Sequence, residues 1–187
     1  MLNRQKQQGV ALITGLIFMV VLTLLAVAAM RTTGLEEKMA GNALNQDLAF
    51  QATEAALRQG RASVENGVIT STSGFPSYGS PCTSTGTPGL CLPSTTSTPV
   101  WTTVFPFGQT TLSTTAATFG PTALKGVANQ PQYIIELLPD VSVGKGYSLA
   151  KGRSAGGGTA TPFRITARGW GLAAEAQATT QATFLDF

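Results

Sequence analysis

The sequence predicts an α+β protein in which one long N-terminal helix packs on a C-terminal antiparallel β-sheet. Three observations support this class. Residues 10–30 contain no charged residue and no proline, and residues 31–62 are rich in Ala, Leu, Glu, Gln and Arg, all strong helix formers. The last third contains short runs in which apolar and polar residues alternate with the period of a strand. The 187 residues leave room for one domain after the helix.

The apolar segment, residues 10–30, is predicted to cross a membrane. At the rise of an α-helix it spans about 31 Å, close to the thickness of a bilayer's hydrocarbon core. The preceding residues 1–9 form a short basic leader that ends in Gly9. A secretory signal has a shorter apolar region followed by a cleavage site, whereas this run continues into a helical pattern. Cleavage at Gly9 instead would keep the membrane helix and make Val10 the mature N-terminus.

Residues 31–66 are predicted to be the amphipathic half of the same helix, which ends near Ser63 because Asn66 and Gly67 form a stop signal. At about 100° per residue, two apolar stripes lie on nearly opposite sides of this half. One stripe consists of Leu35, Met39, Ala43, Phe50 and Leu57, and the other of Ala40, Leu44, Leu48 and Ala55. Two stripes need two partners: the chain's own sheet for one, and copies or relatives of the chain for the other. A helix buried on both sides within one domain, or the seam of a coiled coil, are the alternatives.

Residues 67–187 are predicted to form a loop-rich and β-sheet domain. Residues 70–99 consist mainly of Ser, Thr, Gly and Pro, and no charged residue occurs between Asn66 and Leu124. The two cysteines, Cys82 and Cys91, suit a small disulfide loop in an oxidising compartment. Two free thiols in a reducing compartment are the alternative. A disulfide would place this domain outside the cytoplasm.

The end of the chain is predicted to form strands. Residues 132–138 are a short apolar run between prolines, and residues 147–150 suggest a further strand. In residues 163–168 the two faces differ: Phe163, Ile165 and Ala167 are predicted to face inward, and Arg164, Thr166 and Arg168 outward. A turn at residues 169–171 and a second arm at 173–184 complete a hairpin. Its sheet is expected to cover one stripe of the helix.

The composition argues against an enzyme. The chain has no histidine, which excludes histidine acid–base chemistry and nearly all zinc sites, and its few acidic residues are scattered. The glycine-rich residues 152–158 lack the Lys-Ser/Thr ending of a phosphate-binding loop. We therefore expect no catalytic residue, no metal and no cofactor.

A basic stretch at residues 141–174 suggests a nucleic-acid contact as an alternative function. Its candidate residues are Lys151, Arg153, Arg164 and Arg168, with Lys145 nearby and aromatic residues between them. A solvated sheet face beside a flexible loop explains the same pattern, and the net charge of only +3 implies no general attraction to DNA.

The pattern resembles type IV pilins: a basic leader ending in glycine, a membrane helix that continues as an amphipathic helix, then an antiparallel sheet with a disulfide. The segment RTTGLEEKMAGNALNQDLAFQATEAALR closely resembles the N-terminal region of PilX-type minor pilins, and QYIIELL and FRITARGWG resemble their strands. The resemblance implies cleavage after Gly9 by a prepilin peptidase and N-methylation of Val10. It also reveals a departure, because most major pilins have glutamate as the fifth mature residue, where this chain has Thr14. That carboxylate is thought to neutralise a neighbour's N-terminal amine.

The resemblance implies a minor pilin that helps to initiate a type IV pilus and sits at or near its tip, in a fibre used for twitching motility and adhesion. The implied partners are other minor pilins, the major pilin, a tip adhesin and the prepilin peptidase. The implied location is the inner membrane, with the globular domain in the periplasm, and then the pilus on the cell surface. A DNA-receptor pilin and a type II secretion pseudopilin are the alternatives.

Overall fold

The computed structural model describes residues 10–77, 82–83, 87–114, 116–120, 122–143 and 158–186. The elements are α1 (Val10–Glu65), β1 (Leu90–Cys91), α2 (Val100–Val104), β2 (Ala117–Thr118), β3 (Gln132–Leu137), β4 (Val141–Val143), β5 (Gly158–Trp170) and β6 (Gln177–Asp186). The predicted α+β class is confirmed. The leader at residues 1–9 and the predicted strand at 147–150 lie outside the described residues. The chain divides into two units, residues 1–43 and 44–187.

The first unit, in its described part, is helix alone. Residues 10–43 belong to α1, and nearly all of their side chains are exposed. The helix is long and apolar enough to cross a membrane by length and composition. Such a surface is unstable in water, since exposed apolar area is unfavourable. The apolar residues 10–30 of this unit are therefore compatible with single-pass anchoring in a membrane.

The helix ends as predicted, within the second unit. Residue Gly67 adopts a φ of 69°, a left-handed conformation that glycine enters without a steric penalty. The chain then turns back, and the Ile69 N–H donates a hydrogen bond of 2.9 Å to the carbonyl of Ser63. This turn brings Ile69 into the hydrophobic core.

The sheet is centred on β5. It pairs in antiparallel fashion with β3 on one side and with β6 on the other. The short strands β1 and β2 both pair with β3, in parallel and antiparallel orientation respectively, and β4 pairs with the first residues of β5. The predicted strand at 132–138 and the predicted hairpin are confirmed. The hairpin turn differs from the prediction, because β5 continues through Gly169 and Trp170 and the chain turns between Gly171 and Ala176.

One face of the sheet carries α1. The three residues predicted to face inward, Phe163, Ile165 and Ala167, are fully buried there with Tyr133 and Ile135. The helix face that covers them is made mainly of small residues: Ala49, Ala52, Thr53, Ala56 and Gly60. This face differs from both predicted stripes, of which only Leu57 is buried.

The small residues on α1 are explained by how closely the helix approaches the sheet. A Cβ added to Gly169 would lie 2.5 Å from the Thr53 backbone nitrogen and 2.6 Å from the Ala49 carbonyl oxygen. Gly169 is therefore required by contact with the helix, and the prediction that it forms a turn is wrong. At this separation larger side chains on the helix would not fit, so the bulky apolar residues lie on its flanks.

The opposite face of the sheet is also covered, which corrects the prediction that Thr166 and Arg168 point to solvent. Both residues are buried. The covering layer comes from Cys82, from β1 and from the chain between β1 and β3, which carries α2. Its core, together with Ile134 of the sheet, consists of Cys82, Cys91, Val104, Phe105 and Ala116. The low-complexity stretch thus contributes to a third layer of the domain.

Candidate assembly surface

The polar groups of the apolar half of α1 are satisfied within the helix itself. The Thr14 hydroxyl donates to the Val10 carbonyl at 2.9 Å, and the Thr23 hydroxyl donates to the Val20 carbonyl at 2.8 Å. An unpaired donor is costly in hydrocarbon, and these bonds remove that cost. Thr14, the fifth residue of the predicted mature chain, is uncharged, and its hydroxyl needs no hydrogen-bond partner from a neighbouring subunit.

The six residues predicted to take part in helix packing, on the chain's own sheet or on partner helices, differ in exposure. Leu35, Met39, Leu44 and Phe50 are exposed in the isolated chain, and Leu48 is half-buried. Leu57 is buried in the core beneath the helix. Within the second unit, Leu44 is 56% exposed and Phe50 is 50% exposed. Exposed side chains of this size are the kind that a partner helix would cover.

The helix reaches the hairpin through two polar residues that the sequence analysis did not single out. The Asn45 side-chain oxygen accepts a 3.2 Å hydrogen bond from the Ala173 N–H, and the Thr53 hydroxyl lies 3.1 Å from the Ala178 carbonyl oxygen. Both residues share the helix face of the alanines listed above. In the sequence, this face is marked only by small and short polar residues that recur at helical spacing.

The covering layer is joined to the sheet by a disulfide and a buried arginine. Cys82 and Cys91 form the predicted disulfide. The Arg168 guanidinium is buried, and it donates to the carbonyls of Phe105 at 2.6 Å and Pro106 at 2.9 Å. It also lies 5.2 Å from the centre of the Phe105 ring. Burial lowers the pKa of Arg168 because it removes water from the charged guanidinium. The two backbone carbonyls and the Phe105 ring offset part of the free-energy cost of burying this charge.

The second arginine of the strand is paired with a buried carboxylate. Arg164 donates to both oxygens of Glu136, at 2.7 and 2.9 Å, and Glu136 is fully buried. Hydrogen bonding to Glu136 raises the pKa of Arg164. Neither arginine is thus a free surface cation, and their assignment as possible DNA contacts stays a prediction. Lys151 and Arg153 lie outside the described residues.

No cluster of three metal-ligating side chains occurs in the described part of the chain. The described residues show instead an exposed apolar helix surface and a layered domain. A disulfide and the hydrogen bonds of Arg164 and Arg168 stabilise this domain. Together with the long N-terminal helix and the sheet that follows it, this combination is consistent with a pilin-like fold.

Two family models match the chain. One, described as PilX N-terminal, matches residues 8–58, and the other, described as type IV pilus assembly protein PilX C-term, matches residues 87–186. The chain belongs to this PilX family of type IV pilus assembly proteins, which makes it a minor pilin, a structural component of the pilus. No curated protein and no solved structure matched the chain.

Proposed function

We propose that this minor pilin helps to initiate a type IV pilus used for twitching motility and adhesion, and that it sits at or near the tip. The observation that carries the proposal is Thr14, whose hydroxyl bonds to its own helix. Most major pilins have glutamate at that position. A subunit without the carboxylate has nothing with which to neutralise the N-terminal amine of a neighbour. Such a subunit suits the tip of the fibre, where no subunit above it presents an N-terminal amine that has to be neutralised.

The proposed mechanism is packing. The apolar half of α1 holds the subunit in the inner membrane, with the second unit in the periplasm. During assembly the helix leaves the lipid for a bundle of pilin helices, in which the exposed Leu35, Met39, Leu44 and Phe50 contact other minor pilins or the major pilin. Because the apolar surface is covered in both places, the transfer costs little hydrophobic free energy.

We also propose that a prepilin peptidase cuts after Gly9 and that Val10 is N-methylated. Mass spectrometry of the protein extracted from membranes should show a chain that starts at methylated Val10. A chain that starts at Met1, or one that starts near Arg31, would contradict the proposal. In the same preparation, alkylation without reduction should label neither Cys82 nor Cys91, since the periplasm is oxidising.

The initiating role is tested by deletion and by one substitution. Deletion should strongly reduce surface pili, twitching and adhesion, while the major pilin accumulates in the membrane. Thr14→Glu should raise the number of copies per purified fibre, because the new carboxylate suits internal positions, and the neutral control Thr14→Gln should not. Normal piliation after deletion would refute the initiating role.

A further inference from the structure

Strand β6 forms one edge of the sheet. In the described part of the chain it pairs only with β5, through ten consecutive residue pairs from Trp170–Gln177 to Thr161–Asp186. The pairing has no skipped residue and hence no bulge. A long, regular edge strand presents a row of backbone groups that pair readily with another strand.

The register shows which backbone groups point away from the sheet. The Gly171 N–H donates to the Ala176 carbonyl at 2.8 Å, which makes this a hydrogen-bonded pair. Such pairs recur at every second residue of an antiparallel ladder, so the even-numbered residues from Ala178 onward bond to β5. The N–H and C=O groups of the odd-numbered residues therefore point outward. These residues are Gln177, Thr179, Gln181, Thr183 and Leu185.

An independent hydrogen bond supports this assignment. The Leu138 N–H donates to the Pro162 carbonyl at 3.0 Å, which directs the even-numbered residues of β5 toward β3. Its odd-numbered residues, such as Ile165, then face β6 and bond to partners such as Ala182. No hydrogen bond from the outward groups of β6 to another described residue is present.

The edge lacks the features that normally block strand addition. Residues 177–185 contain no charged residue and no proline, whereas protected edges carry lysine, proline or a bulge. Thr179, Gln181, Thr183 and Leu185 are exposed beside this edge. A charged segment would lose hydration here without gaining an opposite charge, so an uncharged one fits best.

The edge borders the flank of α1 that carries Phe50. Asn45 contacts the hairpin turn, and the Arg61 guanidinium lies 4.8 Å from the Phe184 ring near the end of β6. The helix therefore runs alongside β6. Phe50 and Arg61 are separated by about 20° around the helix axis, so both lie on the β6 side. A subunit that covers the exposed Phe50 is brought next to the edge.

We infer that the outer edge of β6 binds an uncharged, extended segment of a neighbouring pilus subunit, which adds to the sheet as a further strand. Only a polypeptide backbone supplies donors and acceptors at the spacing of the outward groups. The inference rests on the proposed function, because the contact on Phe50 supplies the neighbour.

The test is amide hydrogen exchange at single-residue resolution. The full chain is measured alone in detergent and in the complex co-purified with the other pilins of its own pilus system. In the free protein the amides of Thr179, Gln181 and Thr183 should exchange quickly, and those of Thr180 and Ala182 slowly. In the complex the first group should become protected at least tenfold. A gain of protection confined to these alternate amides distinguishes an added strand from a contact that only covers the side chains of β6.

Proline variants provide the second measurement. Thr179→Pro and Thr183→Pro each remove one outward N–H and leave the bonds to β5 intact, while Thr179→Ala and Thr183→Ala keep the N–H and remove the side chain. The double proline variant should weaken the complex about tenfold at an unchanged melting temperature, and the double alanine variant should not. Exchange of the Thr179, Gln181 and Thr183 amides in the complex that stays as fast as in the free protein, or equal binding by both variants, would overturn strand addition while leaving the proposed function in place. Failure of the wild-type chain to form any pilin complex would overturn the proposed function as well.

Discussion

Replacing Gly169 with alanine should strongly destabilise the second unit. The new Cβ would lie 2.5 Å from the Thr53 nitrogen and 2.6 Å from the Ala49 oxygen, and both of these are backbone atoms of α1. A side chain can rotate away from such a contact, but a helix backbone has to move as a whole. Movement of α1 would loosen Ala49, Thr53 and Ala56, which are fully buried.

The magnitude follows from what overpacking costs. Extra methyl groups in packed cores cost typically 1–3 kcal/mol, and we expect about 3 kcal/mol here because the obstacle is backbone. For a domain of this size that corresponds to a fall in melting temperature of about 6–12 °C. Fluorescence of the buried Trp170, the next residue, reports the transition in the detergent-solubilised full chain.

The matched control is Gly120→Ala, because a Cβ at Gly120 meets no atom within 4 Å and Gly120 is not among the glycines with a positive φ. This variant should change the unfolding free energy by less than about 0.5 kcal/mol. If Gly169→Ala melted within 2 °C of the wild-type chain, as the control should, the close helix–sheet contact would not be the reason for glycine at this position.

Three further substitutions or conditions test other parts of the structure. Leu44→Asp should abolish co-purification with other pilins at an unchanged melting temperature, since Leu44 is 56% exposed; normal co-purification would show that this flank is not an interface. Glu136→Gln should lower the free energy of unfolding, measured in denaturant, by about 2 kcal/mol. This is less than the cost of breaking a fully buried ion pair, because Arg164 keeps partial access to water. Burial raises the pKa of Tyr133, with a smaller opposing effect from Ser63, so the folded state holds this proton more tightly. The stability linked to this proton is complete below about pH 10 and is lost as the pH rises further. In denaturant unfolding at different pH values, Tyr133→Phe should remove this part of the pH dependence of the unfolding free energy.

Much of the fold could be predicted because its signals are local. The length of the apolar run, the composition of residues 31–62 and the stop at Gly67 each depend on neighbours within a few turns of one helix. The alternation in residues 163–168 likewise placed Phe163, Ile165 and Ala167 in the core. The cysteine spacing pointed to the disulfide that joins Cys82 and Cys91.

The face of the helix that packs was decided only by the tertiary structure. Large apolar side chains dominate a periodicity analysis, but the sheet approaches α1 too closely at Gly169 to accept them. Alanine, threonine and glycine occupy that face, and they carry little hydrophobic signal. The apolar stripes therefore pointed to the flanks of the helix, where Phe50 remains exposed.

The class of protein, the long apolar helix and its end, the main strands and the disulfide could all be predicted from local patterns in the sequence. Only the tertiary structure decided what covers the second face of the sheet. Arg168 occupies an alternating position that is typical of a solvent-facing residue, yet it is buried against Phe105 and Pro106. The residues that bury it belong to a loop-rich segment without periodicity, more than 60 positions earlier in the chain. Such a contact depends on how the chain folds back on itself, and no local pattern records it.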